Sequence, residues 1–186
     1  MKSLQLEKPH AIVVIGIQGS GKSFFAEKFA DTFSAPFIDE SAFATFAHDE
    51  SASKLITNHV LKEVLKTKAT VVIESSGSKA DRIELAQLVK KAGYEVLLVW
   101  VQTDTNTAMG RVRKQTSATK EEFEDNVKRF SAPSGVEQAL VISGKHTFAT
   151  QAKTVLKKLS GDGRSLPKVE SRGVVPARHR GNITIS

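Results

Sequence analysis

The chain has 186 residues, enough for one domain with a real core and short for two, and its 40% hydrophobic and 25% charged composition is that of a globular protein. It contains no cysteine, which excludes disulfides, thiolate zinc sites and cysteine nucleophiles. The formal net charge of +7 favours polyanionic partners, nucleotides or nucleic acid, or sits in the tail and the lid, where it serves solubility and ATP binding.

Residues 1–9 form a polar lead-in ending at Pro9, without the long apolar stretch of a secretory leader. The longest strongly apolar run, Val96 to Val101, is far too short to cross a membrane, so a cytoplasmic protein with no membrane partner is expected.

His10 to Ile15 is an almost continuous apolar run, as in a strand buried on both faces. It is followed by Gly16-Ile17-Gln18-Gly19-Ser20-Gly21-Lys22-Ser23 and then by an amphipathic stretch from Phe24. Strand, glycine-rich loop and helix are the setting that the phosphate-binding pattern G-x-x-x-x-G-K-[ST] requires (Walker A). Glycines let successive N–H groups curl around a phosphate, and the helix N-terminus adds partial positive charge. Gly16, Gln18, Gly19, Ser20, Gly21, Lys22 and Ser23 are therefore assigned to a nucleoside triphosphate, ATP. Lys22 reaches the β- and γ-phosphates, and the Ser23 hydroxyl ligates Mg2+. The bare pattern arises by chance in roughly one chain of this size in a hundred, and the flanking elements make accident rarer.

Phe24, Phe25, Phe29 and Phe33 recur at helical spacing and are expected to face the core. Pro36-Phe37-Ile38 reads as a second strand, Ala42 to Ala47 as a short helix, and Ser51 to Lys66 as a longer one. Thr70 to Ile73 is a third strand, followed by the loop Glu74 to Gly77. Ile83, Leu85, Leu88 and Val89 mark a helix closed by Gly93. Glu95 to Val101 is the fourth strand, with Trp100 in the core. Thr103-Asp104 opens a helix reaching about Lys114. Thr116 to Thr119 is a polar hinge, and Thr119 with Glu122 fits a capping box for a helix over 121–130. Ala139 to Ile142 is a fifth strand and Thr147 to Leu159 a last helix.

Alternating strands and helices predict an α/β, three-layer P-loop NTPase fold: a five-stranded parallel sheet, helices on both faces, and a small helical lid. Ligands in such sheets lie at the carboxyl ends of the strands, where Gly16, Asp39, Glu74 and Thr103 are expected to converge. Residues 1–159 are assigned to this domain. Residues 160–186, rich in Gly, Pro and Arg, are assigned to an extended or disordered basic tail, a possible contact to nucleic acid.

Two carboxylates carry the expected chemistry. Asp39 stands where phosphoryl transfer needs a base for the attacking hydroxyl, although an acidic helix cap also explains it; Glu40 is a neighbouring substitute. Glu74 stands where a carboxylate holds Mg2+ or its water, or activates a water for ATP hydrolysis. Arg111 and Arg113, with Lys114, can close over the triphosphate or merely complement a helix C-terminus. The five histidines show no metal-binding spacing.

These pieces together resemble the small P-loop kinases of the adenylate-kinase-like group. Within it, the chain is most similar to the AAA-type ATP-binding branch of polynucleotide kinase domains, zeta-toxin-type and gluconate-kinase-like proteins. The resemblance rests on Gly16 to Ser23, Phe37-Ile38-Asp39, Val71 to Glu74 followed by Arg82, Leu98 to Val101 with Thr107 to Arg113, and Pro133 to Glu137. It implies transfer of the γ-phosphate of ATP to a hydroxyl of a small molecule or a nucleic-acid end, with Asp39 as the hydroxyl-activating aspartate and Arg111 as a lid arginine. The family usually has Asp where Glu74 stands. Its second lid arginine falls here on Gln115, leaving Arg113 as a shifted candidate. No N-K-x-D guanine motif is present. The alternative is a nucleotide-dependent ATPase or regulatory module that contacts a partner through its tail.

Overall fold

The computed structural model describes residues 2–4, 6–75, 78–161 and 169–171. In chain order the elements are β1 (Lys2–Leu4), β2 (His10–Ile15), α1 (Lys22–Phe33), β3 (Phe37–Asp39), α2 (Glu40–Ala44), α3 (Glu50–Lys66), β4 (Val71–Glu74) and α4 (Lys79–Lys91). They continue with β5 (Glu95–Gln102), α5 (Thr105–Gln115), α6 (Lys120–Arg129), a 3-10 turn (Gly135–Glu137), β6 (Leu140–Ser143), α7 (Phe148–Leu159) and β7 (Val169–Ser171).

Five strands form one parallel sheet in the order β3-β4-β2-β5-β6. Strand β2 lies at its centre, so the loop after it is flanked on both sides. Side chains alternate across a strand. Ile12 and Val14 accordingly join Phe25, Phe29 and Val155 in a core under α1 and α7. Ala11, Val13 and Ile15 join Leu61, Leu65, Leu85 and Val89 in a second core under α3 and α4. The result is helix, sheet and helix in three layers. A third, smaller cluster packs Phe123 of α6 on Ala108 and Val112 of α5, which makes a lid of these two helices.

Helix starts follow local chemistry. Asp49, Asp104, Thr119 and Thr147 each accept a hydrogen bond from a backbone N–H in the first turn of the following helix. The capping box of Thr119 and Glu122 is present in both directions. Gly93, at φ 83°, follows α4 in the left-handed conformation.

Some expectations shift. Phe24 is 58% exposed. Positions 25, 29 and 33 share one face of α1 with 26 and 30, whereas 24 lies about 100° round the helix. Ile83 is likewise on the outer face of α4. Helix α2 is shorter than the apolar pattern of 42–47 suggested. The lead-in and the tail meet: Lys2–Leu4 pairs antiparallel with Val169–Ser171, a contact across the whole chain that no local pattern announces. The rest of the assigned tail from 162 onward, and Ser76 and Gly77 after β4, lie outside the described residues. Among the described residues no helix is long and apolar enough to cross a membrane.

Candidate functional site

The glycines of the loop between β2 and α1 are dictated by close approach. A Cβ on Gly16 would stand 2.6 Å from both Ser20 Oγ and the Val101 carbonyl oxygen. Gly19 has φ 76°, and a Cβ there would come within 2.4 Å of the Ala108 carbonyl oxygen. Gly21, at φ 96°, is the N-cap of α1 and supplies no side-chain cap, so the helix start is left to a ligand.

The outer side of the loop is held by three neighbours. Thr103 Oγ1 donates to the Ser20 carbonyl at 2.9 Å. Arg111 Nη1 donates to the Gly19 and Ser20 carbonyls at 3.2 and 3.1 Å, and its Nη2 donates to the Gly144 carbonyl at 2.9 Å. In a trans peptide N–H and C=O point in opposite directions, so the Gly21 N–H is turned away from these donors, toward the concave side. Gly144, just after β6, has no room for a side chain: a Cβ would meet the Ser20 carbonyl oxygen at 2.0 Å and Thr103 Oγ1 at 2.3 Å. The β6–α7 turn is also tied to α5 through Lys145 and Asp104. Hydrogen bonds from Lys145, and then from the Thr107 backbone and hydroxyl, hold the Asp104 carboxyl well below the usual carboxylate range.

At the inner side, Glu74 ends β4 and is buried, 5% exposed. Its Oε1 accepts from Ser23 Oγ at 2.8 Å and lies 3.1 Å from Lys22 Nζ. Its Oε2 is buried and has no hydrogen-bond partner among the described residues; the same is true of the neighbouring Ser75 Oγ. A buried carboxylate oxygen without a donor is costly, and a cation or its water removes that cost. Ser23 and Glu74 are hard oxygen donors of the kind Mg2+ takes, alongside substrate phosphates and water. The residues present fit the ion. Among the described residues there is no cluster of three or more His, Cys, Asp or Glu able to hold a metal, so a site made wholly of such side chains is not formed there.

Beside the loop lies a cavity of about 530 Å³, enclosed by the ends of β3 and β4 and by α2, α3, α4 and α6. Gly16, Gln18, Lys22, Asp39 and Glu74 all line it. Asp39 is half-buried and caps α2: its Oδ1 accepts from Ser41 N at 2.8 Å and Ser41 Oγ at 2.7 Å. The hydrogen bonds described for this carboxylate fall on one oxygen, so cap and cavity wall coexist. Across the mouth, Asn126 Nδ2 of α6 donates to Gln18 Oε1 at 3.3 Å, and Phe130 closes the wall. The lid thus touches the loop it covers.

The structure therefore brings Asp39, Glu74, Lys22 and Ser23 together from three strand ends. Arg111 sits behind the loop, on its carbonyls, and does not line the cavity. Arg113 is exposed on α5, two residues on and about 200° round the helix, and does not reach the cavity either. Sequence reasoning passed over Gly144, although its place directly after the fifth strand obeys the same rule as Gly16. It also passed over Lys54, which bridges Asp81 at 3.1 Å and Glu84 at 2.7 Å on the far wall. Hydrogen bonds from Lys54 to Glu84 and then Asp81 raise the pKa of its amine. That pairing joins two helices and leaves no local signal.

Two relatives are shikimate kinases. That of Bartonella quintana (strain Toulouse) is 25% identical over 115 residues, 56% of this chain; the chain spans about half, 53%, of that protein. That of Bartonella henselae is 24% identical over 167 residues, 80% of this chain and 78% of that protein. In fold, the chain is similar to a gluconokinase from Sinorhizobium meliloti 1021, with TM-score 0.62, 18% identity, and coverage of 82% of this chain and 92% of that one. It is also similar to the APS kinase CysC of Mycobacterium tuberculosis, solved with AMPPNP and APS, with TM-score 0.67, 16% identity, and coverage of 83% and 99%. At these identities the structures speak for a shared fold, that of P-loop kinases. A family model described as an AAA domain matches residues 12–133, from the central strand through the phosphate loop and lid to the turn before β6, and on that match the chain belongs to the AAA domain family.

Proposed function

We propose that the protein is an ATP-dependent phosphotransferase: a kinase that moves the γ-phosphoryl group of ATP to a hydroxyl of an acceptor held in the cavity beside the loop. The observation that carries this is the shared wall. Lys22 of the phosphate loop and the Asp39 carboxylate line one cavity, as a donor phosphate and an attacking hydroxyl require. The kinase relatives support the same reaction class.

In this reading the loop amides and the start of α1 hold the phosphates, and Lys22 leaves Glu74 to neutralise charge on the transferred group. Asp39 orients the acceptor hydroxyl and takes its proton as the new O–P bond forms and the bond to the ADP oxygen breaks. Arg111 and Thr103 are positioning residues, fixing the carbonyls so that the amides face the anion. Ser23 and Glu74 hold Mg2+, which when bound screens the phosphate charge. Arg113 acts only through a further movement of the α5–α6 lid. The working domain spans 1–159, and the reaction is placed in the cytoplasm. Contact with nucleic acid is assigned to the tail.

A second reading has one observation behind it. Glu74 lines the cavity, and its Oε2 is buried without a hydrogen-bond partner among the described residues; a base for an activated water at that residue would make the protein an ATPase. Asp39→Asn separates the two. The amide oxygen still caps α2, so ATP affinity is retained, while transfer falls by about 10²–10⁴-fold, the worth of a positioned base. ADP release with a panel of hydroxyl compounds, beside calorimetric binding of an ATP analogue, reads both quantities. Wild-type transfer in Asp39→Asn overturns the assignment, and acceptor-independent ADP release that is lost in Glu74→Gln and not restored at high Mg2+ supports hydrolysis instead.

A further inference from the structure

The buried positions of α7 are apolar at Ala152 and Val155 and polar at Gln151, which is 4% exposed. Its Nε2 donates to the Ser143 carbonyl at 2.8 Å. Its Oε1 is buried and has no hydrogen-bond partner among the described residues. An aliphatic side chain of the same length would leave no acceptor unsatisfied, so burial by itself does not ask for an amide at 151. The bond to Ser143 gives the amide a task. The Ser143–Gly144 peptide is held at both ends: its carbonyl accepts from Gln151 and from the His146 N–H at 3.1 Å, and its N–H donates to the Gln102 carbonyl at 2.9 Å. A planar peptide pinned at C=O and N–H cannot rotate without breaking one of these bonds. The next carbonyl along, that of Gly144, accepts from Arg111 Nη2 at 2.9 Å, while Nη1 of the same guanidinium donates to the Gly19 and Ser20 carbonyls. The guanidinium is a rigid planar fork, so placing one nitrogen places the other. A chain of contacts thus runs from α7 through the β6–α7 turn and Arg111 to the phosphate loop. Gln151 stands at its far end and does not line the cavity.

We propose that Gln151 is a positioning residue for the phosphate loop: its amide fixes the turn that receives Arg111, and through that guanidinium it fixes the loop amides that face the phosphates. This rests on the reading of the loop as the ATP site and is independent of the acceptor. Gln151 acts only through the turn, so its influence is on how well the loop holds the phosphates and not on the transfer step itself.

The test is Gln151→Met in the full chain, which keeps the length of the side chain and removes the donor. The Ser143 carbonyl retains the His146 N–H and the unsatisfied Oε1 is gone, so urea unfolding should match that of the wild type. Calorimetric titration with an ATP analogue and Mg2+ should show affinity reduced about three- to tenfold, the worth of one hydrogen bond. Inorganic tripolyphosphate should lose affinity by the same factor, because the disturbance lies at the loop amides. In an Arg111→Met background the same substitution should cost less than about twofold, since its route to the loop is already cut. Wild-type affinity in Gln151→Met overturns the proposal, whether or not unfolding changes, and makes Gln151 a packing residue. An equal loss in the two backgrounds also overturns it, as does a loss for the analogue that tripolyphosphate does not share. Failure of the wild type to bind the analogue is a separate result, and it removes the loop assignment and the proposal with it.

Discussion

Removing the charge of Glu137 should destabilise the protein at neutral pH and matter progressively less in acid. Arg82 of α4 is buried, 4% exposed, and donates from Nε to Glu137 Oε1 at 2.8 Å and from Nη2 to Oε2 at 3.2 Å. Its Nη1 donates to the Ser131 carbonyl at 2.9 Å. Glu137, whose side chain is 17% exposed, also accepts from Ser134 N at 2.8 Å. The bond from Arg82, aided by the Ser134 amide, holds the Glu137 carboxyl at about 2, against an ordinary 4.5. A group whose folded pKa is depressed contributes stability that is complete above its unfolded pKa and is lost as pH falls toward the folded one. The displacement corresponds to ~3 kcal/mol at pH 7. Glu137→Gln keeps the shape and takes the Glu137 charge away from a buried guanidinium, so a loss of ~2–4 kcal/mol is expected. That amounts to a fall in Tm of roughly 6–12 °C for a domain of this size. Urea unfolding followed by circular dichroism should show the full gap between wild type and variant above about pH 5, closing as pH falls from about 4.5 toward 2. A gap below ~0.5 kcal/mol, or one that does not change with pH, refutes the reasoning. Because this pair anchors the turn after the lid and not the phosphate loop, ATP-analogue affinity should be unchanged.

Lys22→Ala removes the loop cation that lies 3.1 Å from Glu74; turnover should fall by about 10²–10³-fold with a parallel loss in nucleotide titrations, and unchanged affinity and activity would remove the phosphate-loop assignment. Gly144→Ala puts a methyl group into the Ser20 carbonyl, so ~1–3 kcal/mol of stability and part of the nucleotide affinity should be lost; wild-type behaviour in denaturation and titration would show that the turn moves freely away from the loop. Truncation after Ser160 removes β7 and its pairing with β1 but none of the five-stranded sheet, so cooperative thermal unfolding and ATP-analogue binding should both persist, and their loss would make the tail part of the core.

Much of this molecule is local and therefore legible along the chain. The phosphate loop declares itself because the backbone positions near Gly16 and Gly19 exclude a Cβ, and glycine is what remains. Helix starts at Asp104 and Thr119 are visible because a cap bonds within three residues. The five strands show as apolar runs because a parallel strand between helical layers is dry on both faces. The convergence of Asp39 and Glu74 on one cavity follows from those strands being parallel: their carboxyl ends share an edge of the sheet. Function enters at that edge, and the chain order of elements alone brings the expected base and the expected Mg2+ carboxylate to the loop.

What tertiary structure alone decided is which distant side chains meet. Arg111 reads equally well as a cation over the triphosphate or as a helix-end charge, and it turns out to clasp the loop carbonyls 91 and 92 residues away. Lys54 finds Asp81 and Glu84 on another helix, and Arg82 finds Glu137 across 55 residues. Phe24 carries the same apolar signal as Phe25 and differs from it only in the direction it points from α1. Backbone propensity, capping and close glycine contacts are set by neighbours within a few residues, so the sequence states them directly. Ion pairs and cavity walls depend on how helices settle against the sheet, a balance of packing over the whole core that no single stretch of the chain encodes.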